Sequence, residues 1–218
     1  MRHFGVFISL LPFTAKAMTT SLSSDKKILR AILRQRRRQL SSDDQFRAAT
    51  ALSENASHIP AFCNAQRIAL YIANDGEINP SFLINALWQQ GKQVYLPVLP
   101  SDHSRNMRFR PVNQDTSFIT NRYGIPEPAS TSDEISPSEL DMVFLPLVGF
   151  DSAGRRLGMG GGFYDATFAF KQEGFYSSPQ LIGLAHACQE VDELISDSWD
   201  IPLSGILTDR GYFPTNEQ

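Results

Sequence analysis

The 218 residues include only two cysteines, Cys63 and Cys188, and four histidines. Neither cysteine stands in a C-x-x-C pair or a Cys/His cluster. That excludes a disulfide scaffold and a structural zinc site, and it favours a reducing compartment, the cytoplasm. Long apolar runs are also missing, and none reaches the roughly 18 to 20 residues that cross a bilayer. The nearest candidate, Phe4 to Phe13, is broken by Pro12 and puts Lys16 at the would-be signal cleavage site. Met18 is an alternative start, so residues 1–17 stay open between a real extension, a signal-like segment and an upstream start. Residues 1–20 are read as an extension outside the fold, 21–212 as one α/β domain and 213–218 as a tail. Glycine, proline and cysteine are too scarce for a collagen-like or disulfide-rich chain, and fifteen phenylalanines argue against disorder.

Charge of either sign is scarce overall, with 20 basic and 23 acidic residues, but it is unevenly placed. Seven basic residues and no acid fall between Lys26 and Arg38. The remaining 205 residues carry thirteen basic and twenty-three acidic side chains, a net −10. A cationic segment on an acidic chain calls for an anionic partner.

Ser23, Ser24 or Asp25 is placed to cap a helix with Ile28, Leu29, Ile32 and Leu33 as a narrow apolar stripe. Lys26, Arg30, Arg34 and Arg38, four apart, share another face. A second helix is expected from Ser42 to about Ser57. Alternating strands and helices follow. Strands are expected over Arg67 to Ala73, Gln93 to Leu99, Met142 to Phe150, Leu181 to His186 and Gly205 to Thr208. Helices are expected from Asn79-Pro80 to Trp88, ended by Gly91, and from Phe163 to Phe170. The implied fold is α/β, three-layered and Rossmann-like. It has a mainly parallel sheet, helices on both faces and an N-terminal basic helix. Ser101 to Leu140, rich in Pro, Ser, Asn and Asp, is a long excursion with one strand near Met107 to Val112, over a cleft.

The chemistry concentrates in FDSAGRRLGMGGGFYD, Phe150 to Asp165. Gly158, Gly160, Gly161 and Gly162 let backbone N–H groups converge without Cβ interference, and the helix that follows adds its positive end. Arg156 supplies a charge-assisted contact to phosphate. Asp165, out of place beside a bare phosphate, makes sense with Mg²⁺ between carboxylate and phosphate oxygens. The G-x-G-x-x-G spacing fails because Phe163 holds its last position. The G-x-x-x-x-G-K-[ST] pattern fails for want of a lysine, and neither G-x-S-x-G nor H-E-x-x-H occurs.

RLGMGGGFYD preceded by PLVGFD resembles the signature of the 5-formyltetrahydrofolate cyclo-ligase (5,10-methenyltetrahydrofolate synthetase) family. KKILRAILRQRRRQLS, RIALYIANDGEINPSFLINALWQQGKQVYLPVL, YGIPEP and IGLAHACQEVDELISDSWDIPLSGILTD agree in order, so the resemblance spans about residues 26 to 208. It implies an enzyme that uses ATP and Mg²⁺ to turn 5-formyltetrahydrofolate into 5,10-methenyltetrahydrofolate, ADP and phosphate. The formyl oxygen would be phosphorylated first, and the ring closed by N10. By resemblance, Lys26 to Arg30 (with Lys27, Ile28 and Leu29) and Arg156 to Tyr164 (with Leu157, Met159 and Phe163) hold ATP. Arg156 and Tyr164 are the catalytic candidates, and Asp165 and Asp200 bind Mg²⁺. Ile72, Glu77 and Tyr123 bind folate. The partners implied are small molecules, acted on by a monomer without nucleic acid or membrane.

Local chemistry alone leaves other readings open. Lys26 and Arg30 suit a solvated basic face, Glu77 and Asp200 suit turns, and Tyr123 suits a packed loop anchor. His186 reads as a hydrogen-bonded core histidine. Competing functions are a nucleic-acid module led by the basic helix, or an α/β enzyme for a sugar phosphate or a coenzyme A ester.

Overall fold

A computed structural model describes residues 15–102, 104–129, 133–174 and 177–215, with side chains from residue 25 onward. The expected extension lies outside the described residues as far as residue 14. In chain order come α1 (Ala15–Arg38), α2 (Ser42–Asn55), β1 (Arg67–Ala69), α3 (Ser81–Gln89), β2 (Gln93–Val98) and β3 (Arg108–Val112). Next are β4 (Phe118–Thr120), β5 (Pro126–Pro128), β6 (Met142–Pro146), β7 (Gly149–Asp151), β8 (Arg156–Leu157) and α4 (Phe163–Thr167). The chain ends with β9 (Gln180–Leu184), β10 (Glu190–Val191), β11 (Gly205–Thr208) and β12 (Gly211–Pro214).

Seven strands form the main sheet in the order β12-β11-β9-β6-β1-β2-β3. The five inner strands run parallel and the two edge strands antiparallel. Inner strands are apolar on both sides because both faces are covered. Ile68, Val94, Phe144, Ile182 and Leu207 pack toward Leu52 of α2 and Leu83 and Leu87 of α3. Ala69, Tyr95, Val143, Leu145, Leu181 and Ile206 face the other way, onto Phe109 and Phe168. The second face is covered by α4, a 3₁₀ segment (Ala169–Glu173) and loops, with less helix than the first.

Several boundaries differ from expectation, each for a local reason. The helix carrying Lys26 begins at Ala15, so Ser23, Ser24 and Asp25 lie inside it instead of capping it. Nothing between Ala15 and Asp25 is Pro or Gly, so no breaker stops it there. The apolar run 142–150 is two strands. Pro146, without an N–H, closes the β6 ladder, and β7 joins a separate three-stranded sheet, β10-β7-β8. The run 67–73 pairs as a strand only through Ala69, because the chain then turns through Asp75 and Gly76, both at positive φ. The helix from Phe163 ends at Thr167, whose Oγ1 bonds Met107 N and Arg105 O in the excursion. Phe213 and Pro214, expected in the tail, lie in β12.

Candidate active site

In open α/β sheets, ligands sit outside the carboxyl ends of the strands. The turn after β1, the glycine loop downstream of β6 and His186 after β9 all lie at that edge. Helix α1 links them. Its apolar inner face is Leu33, with Leu29 beside it, packed on Val148, Leu157 and Leu194. That docking leaves Lys26, Arg30, Arg34 and Arg37 of α1 against loops along the edge.

Lys26 Nζ reaches Asp197 Oδ2 at 2.6 Å, and Arg30 Nε donates to the carbonyl of Gly158 at 2.8 Å. Arg30 therefore lies against the glycine loop, and a Cβ at Gly160 would stand 3.5 Å from its guanidinium carbon. Gly160 at φ +94 and Gly162 at φ +68 adopt backbone that L side chains rarely take. Lys27 and Ile28, the other α1 positions expected at the nucleotide, face solvent. Met159 is also exposed, whereas Leu157 is buried.

Arg156 is 8% exposed and already engaged. One of its terminal nitrogens donates to Asp165 Oδ1 and the other to the carbonyl of Ile201. Ile201 N lies 3.4 Å from the same Asp165 oxygen, which draws the neighbouring Asp200 to α4. Asp200 Oδ2 in turn accepts from Asp197 N at 2.8 Å. One small network thus joins Arg156, Asp165, Asp197, Asp200 and, through Asp197, Lys26.

Glu77 sits in the turn after β1, its Oε2 accepting from Asn74 N at 3.0 Å. Burial pushes its carboxyl above the usual range, against the pull of the Asn74 N–H and the Arg37 guanidinium. Tyr71, buried, and Tyr164, partly buried, lie close enough to feel its charge. Burial first, and Glu77 second, raise both phenols well above the usual value, so both stay protonated. The Tyr164 ring stacks on Phe168 at 6.5 Å. Tyr123, 57% exposed, meets Phe163 of α4 edge-on at 6.3 Å. Ile72 packs at the margin of the core behind the Glu77 turn.

The structure thus gathers Lys26, Arg30, Arg156, Asp165, Asp200, Tyr123 and the glycine loop, with Tyr164 bridging toward Glu77. Arg105, Arg37 and Asp197 were missed by sequence reasoning. A Cβ at Gly162 would stand 3.2 Å from Arg105 Nη1; its basic charge, one of four arginines in the excursion, did not single it out. Among the described residues, no group of three or more His, Cys, Asp or Glu side chains is placed to hold a metal. Asp165 and Asp200 do offer two hard oxygen donors on adjoining segments. That set suits Mg²⁺, which keeps several waters and takes phosphate oxygens as its remaining ligands.

Fold and site together are those of an α/β enzyme with its polar groups at the carboxyl edge of the sheet. The profile of the 5-formyltetrahydrofolate cyclo-ligase family matches residues 22–209, and the chain belongs to that family. A 5-formyltetrahydrofolate cyclo-ligase of Haemophilus influenzae is 40% identical over 180 residues, covering 82% of this chain and 95% of the relative. The enzyme of that name in Escherichia coli K12 is 38% identical, covering 81% and 96%. The NMR structure of Aquifex aeolicus 5,10-methenyltetrahydrofolate synthetase superposes with a TM-score of 0.74 at 25% identity, covering 88% of this chain and 94% of that one.

Proposed function

We propose that this enzyme converts 5-formyltetrahydrofolate to 5,10-methenyltetrahydrofolate in the cytoplasm, as a monomer, consuming ATP with Mg²⁺ and releasing ADP and phosphate. The observation that carries the reading is the junction of α1 with the glycine loop, where Arg30 holds the carbonyl of Gly158. It sets a cationic helix against a run of backbone donors, a cradle for an oligophosphate.

In this reading Lys26 and Arg30 flank the triphosphate, and Leu29 and Leu157 fix the helix and loop that present them. Arg105 borders the loop beside Gly162. Arg156 has five N–H donors, two of them spent on Asp165 and Ile201, which leaves the others for phosphate in this reading. Mg²⁺, held by Asp165 and Asp200, would neutralise phosphate charge. Ile72, Glu77 and Tyr123 form the folate side. The Glu77 carboxylate accepts from pterin ring donors, and the exposed Tyr123 ring covers a ring face. An N-formyl oxygen is a poor leaving group. Once it carries the γ-phosphoryl group, N10 attacks the formyl carbon, the C–O bond breaks with departure of phosphate, and N10 loses its proton. Tyr164, held protonated, acts as a donor and not as a base. Positioning and charge stabilisation supply most of the rate.

The rival nucleic-acid reading loses its surface, since Arg34, Arg37 and Arg38 are all turned onto Asp75. The test mixes purified protein with 5-formyltetrahydrofolate, Mg²⁺ and ATP and follows methenyltetrahydrofolate absorbance. ATP-dependent product is expected, and its absence across pH would sink the assignment. Arg156→Ala and Asp165→Ala should abolish turnover in folded protein; near-normal rates in both would remove the loop from the chemistry.

A further inference from the structure

The last turn of α1 buries a group that the proposed chemistry has not used. Arg37 is 0% exposed, and a charged side chain is almost never found there unless its donors are taken up. Nε donates to the backbone carbonyl of Asp75 at 2.8 Å, and Nη2 to the Asp75 carboxylate at 3.1 Å. Nη1 lies 3.4 Å from the carbonyl of Leu147, just past β6. Nη2 also stands 3.7 Å from Glu77 Oε1, a charge contact beyond hydrogen-bond length.

The turn is locked to the helix from behind. Gln45 Nε2 donates at 3.3 Å to both the Arg37 and the Gly76 carbonyls. A Cβ at Gly76 would stand 3.3 Å from the Arg37 carbonyl oxygen. Glu77 is therefore held by Asn74 N on one oxygen and faced by Arg37 on the other, and neither partner moves without the turn. The other groups acting on Glu77 are Arg34, Asp75, Tyr71 and Tyr164. Arg34 and Arg38 are more exposed and already paired with Asp75. Arg37 is left as the fully buried cation facing Glu77.

We infer that Arg37 is the positioning residue for Glu77, touching no substrate itself but fixing the charge and orientation of the carboxylate that reads the folate ring. This rests on the folate reading of the Glu77 turn. A buried carboxylate deprived of its cation takes up a proton more readily, and a protonated Glu77 no longer accepts from two ring donors at once.

The test is calorimetric titration of 5-formyltetrahydrofolate into the native protein, Arg37→Gln, Arg37→Lys, Glu77→Gln and the Arg37→Gln/Glu77→Gln double variant across pH. In Arg37→Gln, folate affinity should fall about tenfold at neutral pH through the lost orientation of the carboxylate, and its acid limb should separately move up by about one unit through the lost charge. Mg·ATP affinity should stay within about twofold, and Arg37→Lys should recover most of the folate loss. In the Glu77→Gln background the second substitution should cost about twofold or less, since residues acting through one another are not additive. A folded Arg37→Gln with an unmoved acid limb overturns the inference, as does an equal loss in the Glu77→Gln background. Should Arg37→Gln fail to fold, Arg37→Lys decides: it keeps the charge, so an acid limb displaced by about one unit counts against the proposal. Native protein that binds no 5-formyltetrahydrofolate would instead overturn the functional reading itself, before any variant is compared.

Discussion

Within the run Gly158 to Gly162 the glycines are not equivalent. Gly158 has ordinary φ and open space where a Cβ would go, whereas Gly162 has φ +68 and Arg105 at 3.2 Å from that position. Gly162→Ala should therefore lose roughly 1–2 kcal/mol of stability, the cost of left-handed backbone for an L residue. Gly158→Ala should stay within about 0.5 kcal/mol of native. Paired urea melts check both; equal losses would mean the loop relaxes freely. In sequence the glycines read alike, so the anion-binding loop was legible but its strained members were not. Arg34 and Arg38 likewise read as part of the face begun by Lys26 and Arg30, and nothing local says that Arg37 points inward to Asp75 and Glu77. Glu77 and Asp200 became candidates through resemblance, and by local chemistry were ordinary turn residues.

Elements were more legible than their ends. The inner strands announce themselves because a parallel strand buried on both faces must be apolar throughout. Their limits are set by partners, as at Pro146, where one apolar run becomes strands of two sheets. The link from α2 to β1 shows the same dependence on distant groups. Lys92, at the start of the segment leading into β2, is 8% exposed. Its Nζ donates to the carbonyls of Phe62, Cys63 and Ala65 at 2.9, 2.9 and 2.6 Å. No helix or strand supplies N–H groups to those carbonyls, so the lysine stands in for secondary structure. Lys92→Met keeps the apolar stem and strips the donors, and should cost about 3 kcal/mol, the range for leaving buried acceptors unpaired. Denaturant unfolding with an unchanged m-value would register it; a loss too small to resolve would mean water replaces the ammonium.

Across the whole molecule, buried titratable groups set how stability varies with pH, and they act in separate windows. Asp75 and Asp141 have burial working against them, but hydrogen bonds and arginines hold both below the ordinary carboxylate value of 3.8. Their stabilisation is complete above that value and is lost only as pH falls through their still lower folded values. His186, 2% exposed at the end of β9, behaves differently. Burial lowers its imidazole below the ordinary 6.5, so the unfolded chain takes up a proton before the native one does. Stability therefore drops as pH falls below about 6.5, well before the aspartates titrate. Glu77 opposes it. Its carboxyl is raised above 4.5 by burial, so folded protein binds that proton first and regains stability as pH falls through its folded value toward 4.5. Subtraction separates the two. The native melting temperature should fall between pH 7.5 and 5.5, about one unit either side of the histidine value. His186→Gln, which cannot take up the proton, should show a shallower fall, while Glu77→Gln should lack the regain that sets in as pH falls through the native carboxyl's folded value. Parallel native and His186→Gln curves would mean that the native imidazole is protonated as readily as the unfolded one, and that its burial does not govern the acid side of the stability profile.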